Sequence, residues 1–239
     1  MPDAFARMEM LLGDAGTDRL GRAKIVVFGL GGAGSYAAEA LARCGVASLT
    51  LVDNGTISAD HINRQLYALR STIGRSNVEI AKARIRDIDE GILVHTYDTF
   101  YNEETACIFE LGSYDYIVDA MDTVDSKLLL IQRARECNTP VISCMWIGNR
   151  TDPFKLEIAD ISRITGCVFT RMFRAQLRKR GIRRVKVLYS REKPEQKYER
   201  NTAQGSISFV TGTAGMMLAA AVVRDLLETD RTRRKKIKN

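Results

Sequence analysis

The feature that most constrains this chain is a glycine-rich turn, GLGGAGS at Gly29–Ser35. It stands between an apolar run, AKIVVFG, and residues 34–44, where alanine and leucine recur at helical spacing. A strand that ends in glycines and opens into a helix lets the backbone approach a phosphate closely, and the free amides of the helix start attract negative charge. The turn fits GxGxxG, a weak discriminator by itself. A second apolar run, SLTLVD, completes a βαβ unit and ends on Asp53, 24 residues after Gly29, where a carboxylate can accept hydrogen bonds from ribose hydroxyls. Gly29, Gly31, Gly32, Gly34 and Asp53 therefore indicate a dinucleotide or ATP without choosing between them.

The alternation continues. Residues 77–89 read as a helix, ILVHTY as a strand, 103–111 as a helix, YDYIVDA as a strand, 125–137 as a helix and PVISCM as a strand. Continuously apolar strands separated by helices imply a parallel sheet covered on both faces. The expected fold is α/β: a doubly wound, mostly parallel sheet of Rossmann type with an elaborated C-terminal part. After Pro153 the pattern loosens into FKLEIAD, a helix near 168–180 carrying Arg171, Arg174, Arg178, Lys179 and Arg180, the strand RVKVLYS, and a charged loop from Arg191. The layout expected is a single domain over 1–230, with its nucleotide-binding core at about 20–145 and the elaboration at 146–230. A basic tail at 231–239 should stay solvated.

Composition narrows the setting. A chain of 239 residues buries a core without staples. Cys44, Cys107, Cys137, Cys144 and Cys167 contain no CxxC pair, so neither a disulfide framework nor a structural zinc is expected. The opening MPDAFARMEM has no basic region followed by an apolar core, so a cytoplasmic protein is expected. The apolar run SISFVTGTAGMMLAAAVV is broken by Gly212 and Gly215 and reads as a buried helix near 213–228 rather than a membrane span. The net charge of +7 permits an anionic partner such as RNA.

Other residues bear on the chemistry. Asn63, Arg64 and Gln65 follow the ribose carboxylate, and Asp119 and Asp122 lie in VDAMD at the end of a later strand. An arginine can clamp phosphate oxygens with its planar fork, and a carboxylate at a strand's C-terminal edge can hold Mg²⁺ against them. Hydride transfer requires neither, so an NAD-dependent oxidoreductase rests only on the turn and Asp53. His61 and His95 give a histidine metal cluster or a Ser/His/Asp triad little to work with. His95 reads as a structural residue in an apolar strand, and Cys167 as a packing residue.

Taken in order and spacing, GLGGAGS, LVD, INRQ and VDAMD resemble the ubiquitin-activating-like (ThiF/MoeB/HesA) superfamily over most of residues 5 to 228. The lack of zinc CxxC pairs, with GSISFV at 205–210 and KRGIRRVKVLYS at 179–190, looks most like the tRNA threonylcarbamoyladenosine dehydratases. That resemblance implies ATP-dependent adenylation of the threonyl carboxylate, then ring closure by the neighbouring carbamoyl oxygen with loss of water. It further implies that the four glycines cradle phosphate and Asp53 holds ribose. Arg64 and Gln65 would face the triphosphate beside Asn63, Asp122 would take Mg²⁺, Lys127 would stand near the nucleotide, and Arg7 would reach a phosphate across a homodimer interface. Arg64, Asp122 and Arg7 are thus the catalytic candidates. The implied partners are tRNA, a second copy and a sulfur-transfer protein.

The chain departs from the pattern at Gly55, where a second acid is common, at His61 in place of asparagine, at Asn77 in place of a phosphate-contacting lysine, and at Trp146 in a normally glycine-rich stretch. These departures keep a non-catalytic nucleotide-binding scaffold in view. A sulfur-carrier-protein adenylyltransferase is the nearest competitor within the superfamily.

Overall fold

The computed structural model describes residues 4–164, 168–194 and 204–237. Its frame is a seven-stranded sheet in the order β3-β2-β1-β4-β5-β7-β6. These strands are β1 (Lys24–Phe28), β2 (Ser48–Val52), β3 (Leu93–Tyr97), β4 (Tyr116–Asp119), β5 (Val141–Cys144), β6 (Leu156–Asp160) and β7 (Lys186–Ser190). All neighbours run parallel except β6, which pairs antiparallel with β7. The expected doubly wound fold is therefore present, and the C-terminal elaboration adds its strands to the same sheet through β5 and β7.

Strand order reverses between β1 and β4, the switch point at which ligands sit in open α/β sheets, beyond the carboxyl ends of the strands. Val26, Val27, Ile117 and Val118 at the centre are fully buried, as the continuous apolar runs require. One face is covered by α3 (Gly32–Ala42), α4 (Asn77–Ile88) and α7 (Ser208–Ile237). The other carries α5 (Val124–Glu136) and α6 (Val168–Lys179), over clusters centred on Phe28, Tyr101 and Phe109 and on Phe173 and Val187.

Several expectations are corrected. Residues 103–111 form no α-helix: two 3₁₀ turns occupy Ala106–Ile108 and Leu111–Ser113. Asn102 and Thr105 exchange side-chain and backbone hydrogen bonds there, and such local bonding competes with a helix. The apolar helix near 213–228 starts earlier, at Ser208, and is long and apolar enough by composition to cross a membrane. Of its most apolar stretch 56 % is buried, against α3 and α2 (Asp14–Leu20), which is the condition of a core helix. His95 lies on the exposed face of edge strand β3, so it is not a buried structural residue. Two N-terminal helices, α1 (Ala6–Leu12) and α2, complete the fold. The backbone of the tail continues α7 to Ile237, while its side chains and Cys167 lie outside the described residues.

Candidate active site

The glycine turn closes β1. Gly29 has a φ of 86°, a conformation that strains any L side chain, and a Cβ there would run into the Ala120 backbone. A Cβ on Gly34 would overlap the Gly29 carbonyl. Gly31 caps α3, and a Cβ there would meet no protein atom within 4 Å, so this side of the turn faces open space beside the free amides of the helix. That is the geometry of an anion site.

Asp53, at the end of β2, is strapped to the turn. Its Oδ2 accepts from the Leu30 amide at 2.6 Å, and its Oδ1 from the Gly55 amide at 2.6 Å and from Asn77 Nδ2 at 2.9 Å. Asn77 opens α4 and is only 4 % exposed. A Cβ on Gly55 would sit 2.7 Å from Asn77 Nδ2 and 2.8 Å from Asp53 Oδ1. The missing acid at 55 and the asparagine at 77 are therefore one arrangement: the Asn77 amide occupies the space that a side chain at 55 would need.

The loop Asn63–Gln65 follows the turn Ala59–His61. Arg64 donates to the Asp60 carbonyl and, at 3.1 Å, to Asn63 Oδ1, and lies 3.5 Å from the Asp60 carboxylate. Asn63 donates to the Ser206 carbonyl at 2.8 Å, and Thr211 Oγ1 donates to the Arg64 carbonyl at 3.2 Å, so the start of α7 holds this loop beside the glycine turn. Gln65 does not face open space. Its side chain is buried, and its Oε1 has no partner among the described residues, nor do Asn77 Oδ1 and Tyr67 Oη. His61 accepts from the Ser58 amide at 3.2 Å and so closes its own turn.

The acids after β4 divide. Asp119 is wholly buried and accepts from Lys127 Nζ at 3.1 Å and from Ser143 Oγ at 2.5 Å. Lys127, 1 % exposed, also donates to the Cys144 carbonyl at 2.7 Å. Lys127 stands in the first turn of α5 and is closed off from solvent, its ammonium drawn into the sheet by a buried carboxylate. Asp122 instead lies at the mouth, exposed on one side and walled by protein on the others. That partial enclosure raises its carboxyl above the usual range; Lys127 opposes the rise and Asp119 adds to it. The indole of Trp146 fixes the segment by donating to the Asp122 carbonyl at 3.0 Å. Cys144 is buried and its thiol is pushed up to about 12 by that burial, so it is no nucleophile.

Arg7 is not brought to this pocket within one chain. It is exposed on α1, whose Phe5 neighbour packs against Gly45 at the opposite, amino-terminal edge of the strands. Sequence reasoning missed Asp60 as the residue holding Arg64 and Ser143 as the second partner of Asp119. The spacing of Ser58, Asp60 and His61 around a short turn was a visible signal for the first. Nothing local signals a pair that forms only when β4, β5 and α5 meet.

The fold and site define an α/β protein of nucleotide-binding type, with an open-faced glycine turn, a carboxylate strapped to that turn and an acid at the switch point. The chain belongs to the ThiF family, whose model matches residues 5–239. It is 38 % identical over 250 residues to the tRNA threonylcarbamoyladenosine dehydratase of Bacillus subtilis, covering 98 % of each chain. It is 33 % identical to the Escherichia coli protein of that name over 159 residues, which are 66 % of this chain and 59 % of that one. The E. coli enzyme's crystal structures in complex with AMP and with ATP superpose with a TM-score of 0.89, at 27 % and 26 % identity, over 96 % of both chains.

Proposed function

We propose that this chain is an ATP-dependent adenylating enzyme that cyclises threonylcarbamoyladenosine in tRNA with loss of water. The observation that carries the reading is the meeting, at the carboxyl ends of β1, β2 and β4, of an open-faced glycine turn, Asp53 and Asp122. The B. subtilis relative matched end to end supports it.

ATP lies with its phosphates on the amides around Gly29, Gly31, Gly32 and Gly34 and its ribose against Asp53. Arg64, released from Asp60, clamps phosphate oxygens, and Asn63 sets the loop against α7. The threonyl carboxylate attacks the α-phosphorus, pyrophosphate leaves, and an acyl adenylate forms. The carbamoyl oxygen then attacks the activated carbonyl; the ring closes, AMP departs with the oxygen lost from the carboxylate, and an N–H proton passes to solvent. A carboxylate is a poor electrophile until one oxygen belongs to such a leaving group.

Among the described residues no cluster of three or more His, Cys, Asp or Glu side chains is arranged to hold a metal by itself. Mg²⁺ suits the site on other grounds, because it is commonly held by one or two carboxylates and substrate phosphates, and Asp122 is a carboxylate at the mouth with no hydrogen-bond partner of its own among the described residues. When bound there, the ion neutralises charge developing on the phosphates.

The chain acts as a single domain over 1–230 and as a homodimer in the cytoplasm. Met10 and Leu11 on α1 and Phe209 and Met216 on α7 are exposed apolar side chains suited to a subunit interface, and Arg7 would serve the site of a second copy. A sulfur-transfer protein is a further partner. ATP–pyrophosphate exchange dependent on threonylcarbamoyladenosine in tRNA tests the reading; exchange driven instead by a protein with a diglycine end would favour a sulfur-carrier adenylyltransferase, and none at all a scaffold.

A further inference from the structure

The elaboration carries a surface that the adenylation chemistry leaves unused. Trp146 is held on three sides. Its indole donates to the Asp122 carbonyl at 3.0 Å, Phe173 meets its ring edge-on at 5.6 Å and 78°, and Phe169 leans on it at 6.2 Å and 38°. Phe169 is 56 % exposed and Met172, one turn on, is 62 % exposed. An aromatic ledge thus begins at the backbone of Asp122 and runs outward along α6.

The segment that carries the outer part of the ledge is charged with one sign only. From Ile161 to Arg191 the chain has ten Lys and Arg and no Asp or Glu. Arg171, Arg178, Arg183 and Arg184 are exposed and form no ion pair among the described residues. With Ser162, three of them line a cleft of about 410 Å³. On a helix of 3.6 residues per turn, Phe169 and Arg178 fall on opposite flanks of α6, about 14 Å apart along its axis. A strand stacked at the ledge and crossing the outer face of α6 would bring its phosphates onto these arginines.

We propose that Trp146, Phe169 and Met172 form a stacking platform for an unpaired RNA base beside Asp122, and that Arg171, Arg178, Arg183 and Arg184 take the phosphates of the same strand. Unpaired RNA is the occupant because bases splayed from a loop stack on aromatic side chains, and the surrounding cations match its backbone. A substrate carboxylate attached to a base must also leave a helix to reach a phosphate within a pocket. The proposal rests on the tRNA reading above, and Trp146 acquires a role where the family pattern has a small residue.

Trp146 is the sole tryptophan, so its emission reports on the platform directly. The probe is tRNA carrying threonylcarbamoyladenosine, added without ATP to the full-length protein. Stacking predicts quenching, reversed at high salt. Replacing Arg178, Arg183 and Arg184 together by Gln should weaken RNA binding about 100-fold at 0.1 M salt and flatten the salt dependence by about two contacts or more. Phe169→Ala should weaken it about tenfold with the salt slope unchanged, and Phe169→Tyr should restore it. ATP affinity should stay at the wild-type value in every variant. RNA affinity unchanged in both the arginine and Phe169→Ala variants overturns the proposal. So does a change of molecular mass in solution on Phe169→Ala, which would make the ledge a subunit interface. Wild-type protein that binds RNA in this manner yet leaves the nucleoside intact sinks the dehydratase reading and keeps the platform; dehydration with variants indistinguishable from wild type does the reverse.

Discussion

Lys127 Nζ lies 3.1 Å from Asp119 Oδ1, with the two side chains 1 % and 0 % exposed, so this ion pair is shut inside the fold where β4 gives way to α5. Removing one partner leaves a buried charge uncompensated. Lys127→Met should cost about 3–5 kcal/mol of stability, and adding Asp119→Asn should recover much of it. Urea unfolding of the single and double variants measures this. ATP affinity of the folded fraction should hardly change; a large loss with intact stability would return Lys127 to the ligand.

Gly31 and Gly34 separate fold from function. Gly34→Ala would press its Cβ on the Gly29 carbonyl and should lower both stability and ATP binding. Gly31→Ala meets no protein atom, so its melting temperature should stay at the wild-type value. Its methyl would occupy the phosphate side of the turn, and ATP affinity should fall roughly tenfold or more, the scale of one charge-assisted hydrogen bond. Calorimetric titration with ATP checks both; full affinity in Gly31→Ala would place the phosphates elsewhere.

Much of this was legible because its causes are local. The strand at 24–28, the turn at Gly29–Gly34 and Asp53 each follow from a few adjacent residues, and the parallel sheet follows from apolar runs alternating with helices. The inward turn of Gln65 and Lys127 was not legible, because it depends on elements meeting across the sheet. Nor was the link between Gly55 and Asn77, which are 22 positions apart and look like separate departures until Asn77 is seen filling the space at 55. α1 and α2 went unread because each is only seven residues long and they meet at Gly13.

Asn77 makes that link testable. Asn77→Asp would set a second carboxylate where an amide now donates to Asp53 at 2.9 Å. The pair would share a proton, with one folded-state pKa raised, so the variant should lose roughly 1–3 kcal/mol at neutral pH and regain it as pH falls. Melting curves from pH 4 to about pH 8 would show it. A loss independent of pH would mean that the amide does not contact Asp53.

Asp122 carries opposite demands. Its surroundings hold its folded-state pKa above the unfolded value, so the native state is favoured when it is protonated, and stability falls as pH rises through that interval. Asp122→Asn should therefore melt at or slightly above the wild-type temperature at pH 7 while adenylation drops roughly 100-fold or more. Differential scanning calorimetry beside pyrophosphate exchange checks the pairing.

Cys144, with its thiol pushed up to about 12, should resist alkylation in the native protein at pH 8, whereas the exposed Cys107 and Cys137 should react. Peptide mass mapping after iodoacetamide reads this. Rapid labelling of Cys144 with loss of activity would reopen a thiol route.

The central claim is tested most directly by incubating the protein with ATP, Mg²⁺ and tRNA bearing threonylcarbamoyladenosine, then weighing the released nucleosides. The account predicts a nucleoside lighter by one water, formed only with ATP, and AMP released in equal amount. A nucleoside of unchanged mass, while the B. subtilis relative converts the same tRNA in parallel, would contradict it and leave a nucleotide-binding protein that has lost this chemistry.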